Sequence, residues 1–173
     1  NYADKYYLSG SIRADGSSRL GIDNRWGNFW SGSASWRFTK ESFLENNDVL
    51  TDGKIRFSYG TNGNLPPFYY EHLALYSFSG GYGENPAIFV DQPGNAKLGW
   101  EKSYNMNVGT DLNLFGRFGV VVEYYNKLTE GLLLDRPISY IIGFESTWQN
   151  IGKIQNNGLE VEVHTVNISN SND

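Results

Sequence analysis

The sequence predicts an all-β chain, an antiparallel up-and-down meander of about six strands of the kind that walls a transmembrane β-barrel. Three observations predict it. First, the stretch LGWEKSYNMNVGTDLNL at 98–114 alternates almost without error. Leu98, Trp100, Tyr104, Met106, Val108, Leu112 and Leu114 fall on one parity, and Glu101, Ser103, Asn105, Asn107, Asp111 and Asn113 on the other. A period of two sends successive side chains to opposite faces of a strand. The mean globular strand is only about five or six residues, whereas membrane barrels need tilted strands of about ten, greasy outside and polar inside. Second, aromatic residues make up 16% of the chain and glycine is abundant, at 20 of 173 residues. Third, long and short connections alternate along the chain.

The strands follow in order. Residues 6–14 place Tyr6, Leu8, Gly10, Ile12 and Ala14 opposite Tyr7, Ser9, Ser11 and Arg13. Residues 26–38 place Trp26, Trp30, Gly32, Ala34, Trp36 and Phe38 opposite Ser31, Ser33, Ser35 and Arg37, with Asn28 interrupting the apolar face. Residues 54–59 set Ile55, Phe57 and Tyr59 against Lys54, Arg56 and Ser58. After 98–114, residues 118–134 carry Phe118, Val120, Val122, Tyr124 and Leu128 on one side. Residues 158–166 alternate Leu159, Val161 and Val163 with Glu160, Glu162 and His164. Lys102 breaks its apolar face near a strand end, where its ammonium can reach water along its own stem.

The connections 15–25, 60–97 and 136–157 are long or turn-rich, 115–117 is minimal, and 39–53 is intermediate with a short helical turn expected at 39–44. In an up-and-down barrel, odd and even connections lie on opposite rims, and outer-membrane barrels carry long loops outside and short turns in the periplasm. The expected parity therefore puts 15–25, 60–97 and 136–157 together on the outer rim.

Composition narrows the function. No run approaches the roughly 18 apolar residues of a transmembrane helix, so any crossing is by strands. A formal net charge of −5 argues against nucleic acid as a partner. The lack of cysteine removes disulfide and thiolate-metal chemistry. The chain starts in mid-pattern at Asn1 and stops at Asp173 without a terminator, so it reads as a piece of something longer.

Trp26 and Trp36 share a face ten residues apart, roughly 33 Å along a strand. Tilted by about 40°, that projects to roughly 25 Å, the height of the apolar band between two aromatic girdles. Trp26, Trp36 and Trp100 are thus the candidate membrane-interface aromatics. The other reading open at this point is a core of tryptophans in a soluble β-sandwich.

An ordered series of short motifs runs through nearly the whole chain: RADGSSR at 13–19, ASWR at 34–37, SYGTNGN at 58–64, LGWE at 98–101 and EYYN at 123–126. In this series the chain resembles the barrel region of the SusC/RagA-type TonB-dependent outer-membrane transporters of Gram-negative bacteria. The resemblance implies a full-length barrel of about 22 strands, with an N-terminal plug, a TonB box and closing C-terminal strands that lie outside residues 1–173. It implies embedding in outer-membrane lipid, pairing with a SusD-like surface lipoprotein, and coupling to TonB through the missing N-terminal region. The cargo it implies is a glycan or peptide, and it implies no cofactor and no enzymatic activity. The alternatives are a soluble carbohydrate-binding β-sandwich and a passive porin-type barrel or secreted barrel enzyme.

No catalytic or metal-binding arrangement is expected from the sequence. His72 and His164 are isolated from each other and from any ligand spacing, and His164 reads as a polar lumen residue. Gly80-Gly81-Tyr82-Gly83 opens no helix, so it is no phosphate loop. Glu160 and Glu162 share a strand face about 7 Å apart, which suits a solvated wall better than a glycosidase pair. Asp15, Asp23 and Asn24 fit turn chemistry better than calcium binding. The functional candidate is the long connection 60–97, whose Tyr69, Tyr70, Tyr76 and Tyr82, with Phe68, Phe78 and Phe89, crowd a segment that ought to be solvated. Aromatic rings beside Asn, Gln and Asp suit sugar recognition or docking of the lipoprotein; the competing reading is a loop that folds on its own rings.

Overall fold

The computed structural model describes residues 1–44, 47–83 and 85–167; the side chains of residues 79, 80, 82 and 86 are outside this description. Among the described residues ten strands form: β1 (Tyr6–Gly16), β2 (Trp26–Trp36), β3 (Leu50–Asn64), β4 (Leu75–Tyr82), β5 (Asn85–Gln92), β6 (Glu101–Leu114), β7 (Phe118–Glu130), β8 (Leu133–Pro137), β9 (Ser146–Asn150) and β10 (Lys153–Thr165). Six of them make one sheet in the order β1-β2-β3-β6-β7-β10, with every neighbouring pair antiparallel. This is the expected meander. β4–β5 and β8–β9 are separate two-stranded hairpins.

The hairpins correct two expectations of irregular connection: β4–β5 lies within 60–97, and β8–β9 begins inside the strand expected over 118–134, so that strand ends at Glu130, while the strand expected from 158 already begins at Lys153. β3 is also longer than expected, running from Leu50 to Asn64. Its middle alternates, but its Thr61-Asn62-Gly63-Asn64 end is polar on both faces, so no period of two marks it. β6 begins at Glu101, leaving Leu98, Gly99 and Trp100 in the approach to the strand.

The register sorts the sheet into two chemical faces. Across one face run Ala34–Phe57–Val108–Tyr124–Leu159 and Ile12–Trp30, with Tyr59–Met106 and Val122–Val161 alongside. No described segment covers this face: Leu8, Ile12 and Leu159 are mostly exposed, and even the central Val108 is 40% exposed. A contiguous apolar surface of this width is not stable against water. It is the surface a bilayer solvates.

The opposite face is polar and cross-linked. Ser9 and Ser33 share a hydrogen bond of 2.8 Å, as do Ser11 and Ser31. Arg56 on β3 reaches Asp111 on β6 at 3.0 Å and Glu123 on β7 at 2.9 Å, and Lys54 joins at Asp111. The Arg56 guanidinium lies over Gly109, where an added Cβ would sit 3.1 Å from its central carbon. Glycine therefore lets one arginine bridge three strands.

Hydrogen bonds place the connections on two rims. On the turn rim, the Phe115 amide donates to the Val49 carbonyl and the Val166 amide to that of Arg117. The 114–117 turn holds both Phe115 and Gly116 at positive φ, the mirror-image geometry that matches strand twist. On the loop rim, Asn24 donates to the Ala96 carbonyl and Asn95 to that of Trp148. The predicted parity of long and short connections holds. Besides Pro66, the large apolar residues buried among those described are Leu20, Phe29 and Leu98. They belong to the loop rim and its adjoining strand end, since the sheet keeps both faces for solvent of one kind or the other.

The turn rim carries a clasp with a testable pH signature. Glu41, just after the short 3₁₀ turn Phe38–Lys40, accepts from Tyr6 Oη at 2.6 Å, Lys5 Nζ at 3.0 Å and Trp36 Nε1 at 3.2 Å. The Tyr6 hydroxyl first, then Lys5 and Trp36, hold its carboxyl below the ordinary glutamate range. A depressed carboxylate contributes stability that is fully present above its unfolded value and is lost as pH falls through its folded value. Acid titration of barrel heat resistance should therefore show a step in the wild type that Glu41→Gln lacks; identical titrations would disprove the clasp.

Candidate functional site at the loop rim

Three connections meet on the loop rim and build a small platform. Leu20 from 17–25, Pro66 from the start of 65–100 and Leu98 from its end are fully buried. Arg19 ties two of these segments together: its guanidinium donates to the Pro66 carbonyl at 3.1 Å and to Tyr69 Oη at 2.9 Å, and lies 4.1 Å from the Tyr69 ring centre. His72 Nδ1 lies 3.1 Å from the Arg19 carbonyl. The third connection is joined by Asn150 at the end of β9. Its side-chain oxygen accepts the Gly99 amide at 2.7 Å, while its Nδ2 donates to the carbonyls of Gly99 at 2.9 Å and Gly131 at 3.1 Å.

The candidate tyrosines divide on this platform. Tyr69 is clamped by Arg19. Tyr70 sits beside it with ring centres 6.3 Å apart and takes a positive φ of 68°. Tyr76 lies on β4 opposite Val90, its ring exposed, and Phe78 opposite Ile88 shares that exposed face. Tyr82 pairs with Asn85 through the backbone; its side chain lies outside the described residues. Phe89 is opposite Ser77, and Phe68 meets Trp148 edge to face at 6.2 Å.

The candidate interface tryptophans differ as well. Trp26 and Trp36 terminate β2 on its apolar face; Trp26 is 73% exposed, and Trp36 stacks on Tyr6 with ring centres 6.5 Å apart. Trp100 is half-buried against Phe29 and donates to the Arg25 carbonyl at 3.2 Å. Gly63 makes room for both rings, since a Cβ there would meet Phe29 at 2.2 Å and Trp100 at 2.8 Å. Among the described residues no three of His, Asp and Glu come together as metal ligands, and Glu160 stands opposite Glu123 on the polar wall.

Sequence reasoning missed Trp148, Asp135 and Asn150, which belong to the β8–β9 hairpin. Trp148 and Asp135, with Phe68, Glu71 and the end of β5, border a cleft of about 490 Å³ between the two hairpins.

Comparison with known proteins decides the family. A family model described as TonB dependent receptor-like, beta-barrel matches residues 1–171. The chain belongs to this family. TonB-dependent receptor P39 of Formosa agariphila is 37% identical over 171 residues, covering 98% of this chain and 16% of the relative. TonB-dependent receptor SusC of Bacteroides thetaiotaomicron is 33% identical over 176 residues, 95% of this chain and 17% of SusC. The chain thus spans about one sixth of the curated relatives it matches. In solved structures, the RagAB peptide importer in its closed-closed state superposes with a TM-score of 0.89 at 31% identity, over 96% of this chain and 18% of that one. The siderophore receptor PirA of Pseudomonas aeruginosa matches at a TM-score of 0.60 and 16% identity, which shows the shared fold.

As part of a TonB-dependent receptor barrel, the sheet is a section of an outer-membrane wall. Its apolar face meets lipid, its ion-paired face meets the lumen, and the loop rim is the extracellular one. A soluble sandwich is set aside, because the six-stranded sheet packs against no second large sheet among the described residues.

Proposed function

We propose that this chain is a segment of the barrel domain, throughout 1–173, of an energised outer-membrane importer that takes up peptides or oligosaccharides together with a surface lipoprotein. The observation that carries the reading is the near-complete superposition on the RagAB peptide importer, joined to an apolar face that only lipid can cover. In this reading the chain performs no catalysis. It supplies wall, lumen surface and part of the extracellular rim, and coupling to TonB belongs to the plug and N-terminal region of the whole protein. Tyr70 and Tyr76, exposed on the rim, contact cargo or lipoprotein, Tyr69 holds the platform for them, and Trp26 and Trp36 mark the membrane interfaces, while Trp100 packs on Phe29 in the loop-rim platform.

Deleting the full-length gene should abolish growth on one class of oligomer, peptide or glycan, and loss of TonB should have the same effect. Growth unchanged on both classes would reject the import reading. Within the protein, Tyr70→Ala with Tyr76→Ala should weaken cargo binding or lipoprotein pull-down roughly thirtyfold, at about 1 kcal/mol for each ring, with barrel folding intact. Unchanged binding and pull-down would show that these rings do no more than pack the rim.

A further inference from the structure

The cleft between β4–β5 and β8–β9 has a chemistry of its own. Its volume, about 490 Å³, is within the range of small-ligand sites. One wall is aromatic, formed by Phe68 and Trp148 in edge-to-face contact. Around it stand four carboxylates, Glu71, Asp91, Asp135 and Glu145. None of the four takes part in an ion pair among the described residues.

The ion pairs lie elsewhere: Asp52, Asp111 and Glu123 are neutralised by Arg37, Lys54 and Arg56, and on the turn rim Glu41 is neutralised by Lys5. In the cleft, burial pushes the Glu71 carboxyl up from its ordinary value, and the charge of Asp135 adds to the push. A bound cation would relieve both effects. The carboxylates are spread too widely for one metal ion, as no metal-ligand group forms among the described residues. A larger cation that also lies on an aromatic ring fits the space. The same rim already displays that chemistry within the chain, where the Arg19 guanidinium covers the Tyr69 ring.

We propose that this cleft is a capture subsite for an organic cation, the guanidinium or ammonium group of a basic peptide, seated on Phe68 and Trp148 and neutralised by the carboxylates. The proposal rests on the import reading and specifies the cargo charge that the outer rim selects. It places a positive side chain in the cleft while the remainder of the cargo extends toward the barrel mouth.

The test is calorimetric titration of the purified full-length transporter with three probes: tri-arginine, tri-glutamate and a neutral maltooligosaccharide. Tri-arginine should bind and tri-glutamate should not. Raising the salt concentration should weaken the tri-arginine complex, because charge attraction at an open site is screened. The Glu71→Gln/Asp135→Asn double variant should bind tri-arginine at least about tenfold more weakly, and Trp148→Leu should weaken it while the heat-resistant barrel band is retained. Tri-arginine binding that is absent, or equal in wild type and double variant, overturns the proposal. So does oligosaccharide binding that is tighter than tri-arginine binding and lost in Trp148→Leu. Either failure leaves the import reading standing, since that is judged separately by growth of the deletion strain.

Discussion

Val108→Arg in the full-length transporter should sharply reduce the heat-resistant folded band on a gel, whereas Asn107→Arg should leave most of it. The two residues are adjacent in the middle of β6 and point to opposite faces. Val108 lies between Phe57 and Tyr124 on the apolar face, while Asn107 lies between Ser58 and Tyr125 on the polar one. A charged side chain on the lipid face near the bilayer midplane costs about 2–4 kcal/mol, falling toward the interfaces. That corresponds to roughly a thirty- to thousandfold loss in the folding equilibrium. On the lumen face the same arginine meets water, Ser58 and the Arg56–Glu123 network, and its charge costs little. Equal losses from the two substitutions would refute the assignment of faces.

Asn150→Ala should open the extracellular platform without unfolding the barrel. The Asn150 carboxamide acts as a missing peptide unit, accepting the Gly99 amide and donating to the Gly99 and Gly131 carbonyls. Removing it deletes three hydrogen bonds, at about 1 kcal/mol each. The Gly99 amide should then exchange with solvent faster, and protease should cut 65–100 more readily. Asn150→Asp discriminates further. A carboxylate can still accept from Gly99 but offers no proton to either carbonyl, so the aspartate variant should be at least as open as the alanine one. Protection of Gly99 that survives in both variants would show that the platform is held elsewhere.

What the sequence revealed and what it withheld have one physical cause. β6 was legible because a bilayer on one side and a wet lumen on the other impose opposite chemistry along its whole length. β3 was legible only between Lys54 and Tyr59, since above Gly60 the polar Thr61-Asn62-Gly63-Asn64 end leaves the lipid band for the loop rim, where no single alternation of environment is imposed. The β4–β5 hairpin carries Tyr76 and Phe78 opposite Val90 and Ile88, but register shifts at Leu75/Tyr76 and Phe78/Gly81 break the period that would have disclosed it. β8 and β9 have five residues each, too few to establish a period.

The candidate site follows the same division. The ring-rich connection 60–97 stood out by composition, and the structure places it on the loop rim. Its partners did not stand out: Arg19 reaches Tyr69 across 50 positions, and Asn95 reaches Trp148 across 53. The cleft exists only because two connections remote in sequence emerge on the same rim. Tyr69 illustrates the consequence. By sequence it is equivalent to Tyr70, yet in the fold it is the aromatic platform for Arg19.

The central claim, that this sheet is a barrel wall with lipid on one face and water on the other, is tested most directly by a nitroxide scan along β6. Spin labels placed singly at 104–112 of the full-length protein in bilayers report collision with oxygen, which concentrates in lipid, and with a water-soluble nickel chelate. The account predicts oxygen maxima at Tyr104, Met106, Val108, Thr110 and Leu112 and nickel maxima at Asn105, Asn107, Gly109 and Asp111. A flat profile, or nickel maxima on the Val108 face, would contradict it.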